Sequence, residues 1–108
     1  MGTNTAARSN QSAARIREGA AAAALLRRAR ELLLRDGWRQ YHQGTRNGPK
    51  CLLGAINVAS HGHVDCPLPV LAGLPNAVAV FNDDPTTDLA AVLRVLDGAI
   101  GRLEAGRA

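Results

Sequence analysis

Apolar residues recur at spacings of three and four over two long stretches of this chain. In AAAAALLRRARELLLRDG, residues 20–37, the stripe is Ala22, Leu25, Leu26, Ala29, Leu32 and Leu33, which predicts an amphipathic helix. Arg27, Arg28, Arg30, Glu31 and Arg35 fall mainly outside it. Gly37 suits the left-handed residue that closes such a helix. Arg27 and Glu31 form an i,i+4 pair in the weaker orientation. Toward the far end, Leu89, Val92, Leu93, Leu96, Ala99, Ile100 and Leu103 mark one face of a second long helix. Thr87 or Asp88 can cap its first turn, and the acids there suit the positive end of the helix dipole.

Between these lie shorter elements. WRQYHQGTRNGPK reads as a connection, because Gly44, Asn47, Gly48 and Pro49 are turn formers. Trp38 is expected to fold back over the core. CLLGAINVAS predicts a helix starting near Gly48-Pro49, where proline suits the first helical position. Its apolar face is Leu52, Ala55, Ile56 and Ala59. Gly54 costs such a helix ~1 kcal/mol relative to alanine; beside Ala55 it marks a place where another helix backbone comes close. Three prolines break HGHVDCPLPVLAGLP, leaving Val70, Leu71 and Leu74 for one short turn. NAVAVFND reads as a short helix. The prediction is an all-α, compact bundle of three main helices plus one or two short ones, in a single domain over residues 20–104. Its core would be Leu25, Leu32, Leu52, Ala55, Ile56, Leu93, Leu96 and Ile100, with Trp38 and Phe81 covering the ends. Residues 1–19 hold one large aliphatic side chain, Ile16, and predict a disordered basic tail.

Composition narrows the class. A chain of 108 residues is one domain at most. A core rich in alanine, with Trp38, Tyr41 and Phe81 as its aromatics, suits close-packed helices better than a β-sandwich. No apolar run reaches the ~18 residues that span a bilayer. The alanine run has no secretory signal pattern. A cytoplasmic location, with no membrane contact, is the expectation. Two cysteines make no disulfide framework. Residues 1–50 carry a net charge of +7 and residues 51–108 carry −3. A basic front half can meet nucleic acid, an acidic protein or an anionic surface, and a solvated helix face is its plainer use. Arg27, Arg28 and Arg30, with Trp38, are the partner-binding candidates. Nucleic acid is the less favoured partner, since the arginines lack interleaved aromatics and a recognition helix.

The stretch GPKCLLGAINVASHGHVDC, residues 48–66, holds both cysteines and two of the three histidines. Cys51 falls in the first turn of a helix, where the dipole favours a thiolate. His61, then Asn82 and Asp83, supply a base and an orienting group in the order nucleophilic catalysis uses. His61 stands ten residues along, about 15 Å of helix, which opposes that pairing. Free cysteine also serves as a small buried hydrophobe. His61, His63 and Cys66, with Cys51 or Asp65, carry N and S ligands for zinc, but not at zinc-finger spacing. Neither a metal nor a cofactor is expected. Asn82, Asp83 and Asp84 can bind a polar ligand or, more commonly, cap backbone through Asx-type turns.

Four segments taken together carry a resemblance: GW at 37–38, GPKCLLGAI at 48–56, FND at 81–83, and the V-L-x-x-L-D-x-A-I helix at 92–100. The chain resembles a family of small actinobacterial and phage-associated proteins, a domain of unknown function, over about residues 25–102. That family's form is G-x-C-x-x-G-A-(L/I), then W-N-D, then a terminal helix. Phe81 stands here where tryptophan is usual, a proline-rich insert occupies about 64–75, and His61 and His63 lie outside the pattern. The resemblance implies no activity. It does single out Cys51, Gly54, Ala55, Asn82 and Asp83 as a set.

The expected function is that of a small non-enzymatic interaction or accessory protein, binding a protein partner or itself, as a homodimer for example. One alternative is a thiol-dependent enzyme with Cys51 as nucleophile and Asn82 or Asp83 polarising the site. Another is weak nucleic-acid binding through the arginine-rich N-terminal half.

Overall fold

A computed structural model describes residues 2–60, 74 and 78–105, except the side chains of residues 2–16 and Glu18. It is built from α1 (Gly2–Asp36), α2 (Leu52–Ala59), α3 (Val78–Asp83) and α4 (Leu89–Glu104). The predicted all-α class holds, and the VAVFND part of that stretch, Val78–Asp83, does form a short helix, α3. No strand occurs among the described residues. No described helix is long and apolar enough to cross a membrane.

Helix α1 packs along both α4 and α2, and α2 also meets α3. The α1 backbone is helical from Gly2. Its first buried described residue is Gly19, where an added Cβ would stand 2.7 Å from the Leu103 carbonyl oxygen. Arg30 meets Asp97 further along, so α1 and α4 run in opposite directions. The core joins Ala22, Ala23, Leu25, Leu26, Ala29 and Leu33 of α1 to Leu52, Ala55, Ile56 and Ala59 of α2. Val92, Leu96, Ala99, Ile100 and Leu103 of α4 close it. Leu32 and Leu93, expected in the core, are only partly buried. Because α1 is wedged between two helices, its buried face is centred on Leu26, Ala29 and Leu33. Leu32 is turned to the rim.

Three helix ends show how local sequence acts. Gly37, at φ 99°, donates its N–H to Leu33 O at 3.0 Å and ends α1 as predicted. Asp88 caps α4 through Oδ1, which accepts from Ala91 N at 2.8 Å. Helix α2 departs from expectation: it begins at Leu52, not at Gly48-Pro49, and Cys51 is its N-cap. The cause is Lys50, whose N–H bonds to Gly37 O at 3.1 Å while its carbonyl accepts from Arg39 N at 3.0 Å. Those bonds hold Lys50 against the chain leaving α1.

Arg27 does not pair with Glu31. It reaches Glu104 of α4 at 2.6 Å, and Arg30 bonds to Asp97 at 2.9 Å. Acidic residues on the neighbouring helix outcompete the weak in-helix orientation. His61, His63, Asp65, Cys66, Val70 and Leu71 lie outside the described residues.

Candidate functional site

Asn82, in α3, is fully buried and joins three distant parts of the chain. Its Oδ1 accepts from Trp38 Nε1 at 2.6 Å and from Leu52 N at 2.9 Å. Its Nδ2 donates to Arg39 O at 3.1 Å and to Asp83 Oδ1 at 3.0 Å. A carboxamide carries one acceptor and two donor protons, and here each is used. Trp38 thus folds back, as predicted, onto an amide that fixes its ring N–H. Aspartate could not donate to Arg39 O, and leucine would take the partner from Trp38 Nε1, Leu52 N and Arg39 O.

Cys51 sits directly before the Leu52 N–H that Asn82 holds. It is 6% exposed, and its Sγ accepts from Gly54 N at 3.2 Å. The sulfur therefore caps α2 in the way a serine oxygen would. Gly54 admits a close neighbour, as the sequence predicts, but that neighbour is a loop and not a helix. An added Cβ would collide with the Gln43 carbonyl oxygen.

The loop from Gly37 to Lys50 is tied to α3 along its length. Gln40 Nε2 spans Asn82 O at 3.1 Å and Asp84 O at 2.9 Å. Tyr41 N donates to Asp83 Oδ1 at 2.7 Å. Gln43 Oε1 accepts from Asn57 Nδ2 of α2 at 3.0 Å. The bond from Tyr41 N, then that from Asn82, holds the Asp83 carboxyl below its ordinary value, and nearby His42 adds to this. Asp84 is shifted the same way by Thr86, whose hydroxyl and N–H both donate to Oδ1. Asp84 is thus the Asx-type turn former of the FNDD stretch. Asn82 and Asp83 bind the loop instead.

Two residues of this region escape the sequence. Lys50 is fully buried, its ammonium 3.0 Å from Asp36 Oδ2 and 2.8 Å from Gly48 O. Arg35 grips both oxygens of Asp36 at 2.9 and 3.0 Å. Those bonds, with Arg35 the larger influence and Lys50 next, hold the Asp36 carboxyl far below the usual carboxylate range. The legible signal was that Lys50 is the one lysine among thirteen basic residues. Tyr41 is the other. It has φ 72°, the one positive φ outside glycine among the described residues, yet the residue is 66% exposed. A left-handed non-glycine costs ~1–3 kcal/mol, and no sequence pattern announces it.

The partner-binding candidates on α1 have partners within the chain. Arg27 and Arg30 reach α4, and Arg28 lies over the end of α2, with Nε and Nη2 each 3.4 Å from Ala59 O. Beside Arg28 a cleft of about 340 Å³ opens between α1 and α2, lined by Arg28, Glu31, Leu32, Arg35, Val58 and Ala59. No group of three or more His, Cys, Asp or Glu among the described residues is arranged to hold a metal. Asn82 and Asp83 do come together with Trp38, next to Cys51, and the Cys51 sulfur, the Asn82 amide and Asp83 Oδ1 all have hydrogen-bond partners within the chain.

A family model matches residues 17–102. The chain belongs to the family of unknown function DUF6197. The matched span contains Asn82 and all its partners, the Cys51 cap and the buried Lys50. Gly48 stands three residues before Cys51, so the glycine is one position further from the cysteine than in G-x-C. No curated protein and no solved structure matches the chain.

Proposed function

We propose that this DUF6197 protein is a small non-enzymatic interaction module, accessory or regulatory in role, that binds a protein partner or itself in the cytoplasm. One observation carries the reading. The side chains that would form a thiol active site are spent on holding the fold. Cys51 is buried and caps α2, and Asn82 is buried with every donor and acceptor used. A nucleophile has to meet its substrate, and a sulfur that is buried and already accepts the Gly54 N–H is poorly placed to do so. What the surface offers is exposed apolar side chains, Leu34, Tyr41 and Val80, on a rigid frame. Arg27 and Arg30, paired to α4 carboxylates, have less charge to give to nucleic acid than the sequence suggests.

Iodoacetamide labelling tests this. The native protein should resist alkylation at Cys51 from neutral pH to ~8.5, near the ordinary thiol pKa, and react at once in urea. Rapid labelling of native protein at neutral pH, mapped to Cys51, would restore the thiol-enzyme reading.

A further inference from the structure

We infer that Asn47-Gly48 is a self-modifying site: the Asn47 amide is converted, with water as co-reactant, to an aspartyl or isoaspartyl link, and the isoaspartyl form loosens the buried Lys50 clamp. The inference is independent of the interaction reading above. Asn47 is exposed and lies in the turn closed by Gly48 N, which donates to Thr45 O at 3.4 Å. Its side chain makes no hydrogen bond among the described residues. Asparagine and glycine both suit such a turn. Glycine fits here because a Cβ at Gly48 would stand 2.6 Å from Thr45 Oγ1 unless that side chain turned away. The turn thus sets, beside an unbonded carboxamide, a peptide nitrogen with no side chain to shield it. The other asparagines with described side chains lack that combination. Asn82 is buried with its amide fully bonded. Asn57 precedes β-branched Val58 inside α2, and its Nδ2 bonds to Gln43.

The chemistry needs no other reagent. Gly48 N, its proton taken by hydroxide, attacks Asn47 Cγ. A C–N bond forms, the bond from Cγ to Nδ2 breaks, and Nδ2 leaves as ammonia with a proton from water. Water then opens the succinimide at either carbonyl. One opening leaves an ordinary aspartyl residue. The other routes the main chain through Cβ and Cγ, so the chain gains a methylene. Both add a negative charge next to Arg46. The methylene matters because this segment is closed at both ends. Gly44 and Lys50 are bridged, and a Cβ on Gly44 would collide with the Pro49 carbonyl oxygen. Gly48 O accepts from Lys50 Nζ at 2.8 Å, and Lys50 is fully buried with Asp36 as its other partner. Lengthening the link between Gly44 and Lys50 draws Gly48 O out of register with Nζ. A buried ammonium that loses an acceptor weakens the fold around it. The age of the molecule is thereby written into the loop that ties α1 to α2.

Ageing the full native chain at neutral and mildly alkaline pH, followed by mass spectrometry of its proteolytic fragments, tests the site. Conversion at position 47 is read as the mass change from amide to acid and as isoaspartyl methyl-acceptor content. It should approach the rate in the guanidinium-unfolded chain and rise with hydroxide. Asn57 and Asn82 should stay intact in the native chain. Gly48→Ala should slow conversion severalfold. Asn47→Gln, which keeps an exposed amide and should fold even if the glycine variant does not, should abolish it. Aged wild type should melt at a lower temperature than fresh wild type, and aged Asn47→Gln should not. Freshly prepared Asn47→Asp, which adds the charge without the methylene, should melt close to wild type. A native chain that keeps its Asn47 amide while the unfolded chain converts, or native Asn57 converting as fast as Asn47, would overturn the site. Converted protein that melts like fresh protein would overturn the effect on the Lys50 clamp.

Discussion

Trp38 and Asn82 are joined by a 2.6 Å hydrogen bond from the indole N–H to the amide oxygen. That same oxygen accepts the first N–H of α2. The chain leaving α1, the start of α2 and the end of α3 therefore meet at one carboxamide.

Asn82→Ala should lower unfolding free energy by ~2–4 kcal/mol, because buried donors and an acceptor lose their partner together. Asn82→Asp should also destabilise, since a carboxylate has no proton for Arg39 O. Trp38→Phe should cost less than Asn82→Ala, because Asn82 keeps its other bonds. Urea denaturation followed by circular dichroism measures all three.

At Cys51 the two small substitutions should separate. Cys51→Ser keeps an acceptor for Gly54 N and should match wild-type stability or exceed it. Cys51→Ala removes the cap and should cost ~1 kcal/mol. Thermal unfolding gives the order. A catalytic sulfur would show the reverse concern: serine would abolish function while stability stayed high.

Glycine-to-alanine changes should split by location. Gly54→Ala places a methyl against the Gln43 backbone and should destabilise despite alanine's better helix propensity. Gly101→Ala meets nothing within 4 Å and should stabilise by ~0.5–1 kcal/mol. Chemical denaturation of the two variants checks the sign of each.

Acid should weaken the fold most through Asp36. Its folded pKa is depressed by Arg35 and Lys50, so its contribution is complete above the unfolded carboxylate value of ~3.9 and fades as pH falls below it. Asp83 and Asp84 are shifted in the same direction and add to the loss. Asp36→Asn should be less stable than wild type at neutral pH, where it leaves buried Lys50 facing an amide, and the gap should narrow toward ~pH 3. Thermal midpoints against pH test this.

Helix α1 from residue 20 on and helix α4 were legible because each carries there a 3.6-residue stripe and an end signal, Gly37 for α1 and Asp88 for α4. Leu32 and Leu93 were misplaced because a stripe read from one helix cannot say how many neighbours share it. The α2 start was misplaced because the residue that decides it, Lys50, bonds to backbone thirteen and eleven residues earlier. Helix propensity is local; that pairing is not. Cys51, Asn82 and Asp83 could be named as a set from sequence. Their roles could not, since a buried asparagine and an exposed one read alike. Tyr41 was invisible as a candidate because backbone strain leaves no mark on residue type.

The loop between Gly37 and Lys50 is sealed at its base by the Lys50 backbone bonds and fastened above by Gln40, Tyr41 and Gln43. Continuity of the polypeptide through its exposed Arg46-Asn47 stretch is therefore redundant once the molecule has assembled. A protease nick there should yield two fragments that migrate as one until denatured, which makes that peptide bond a natural place to split the protein for complementation or to relocate its termini.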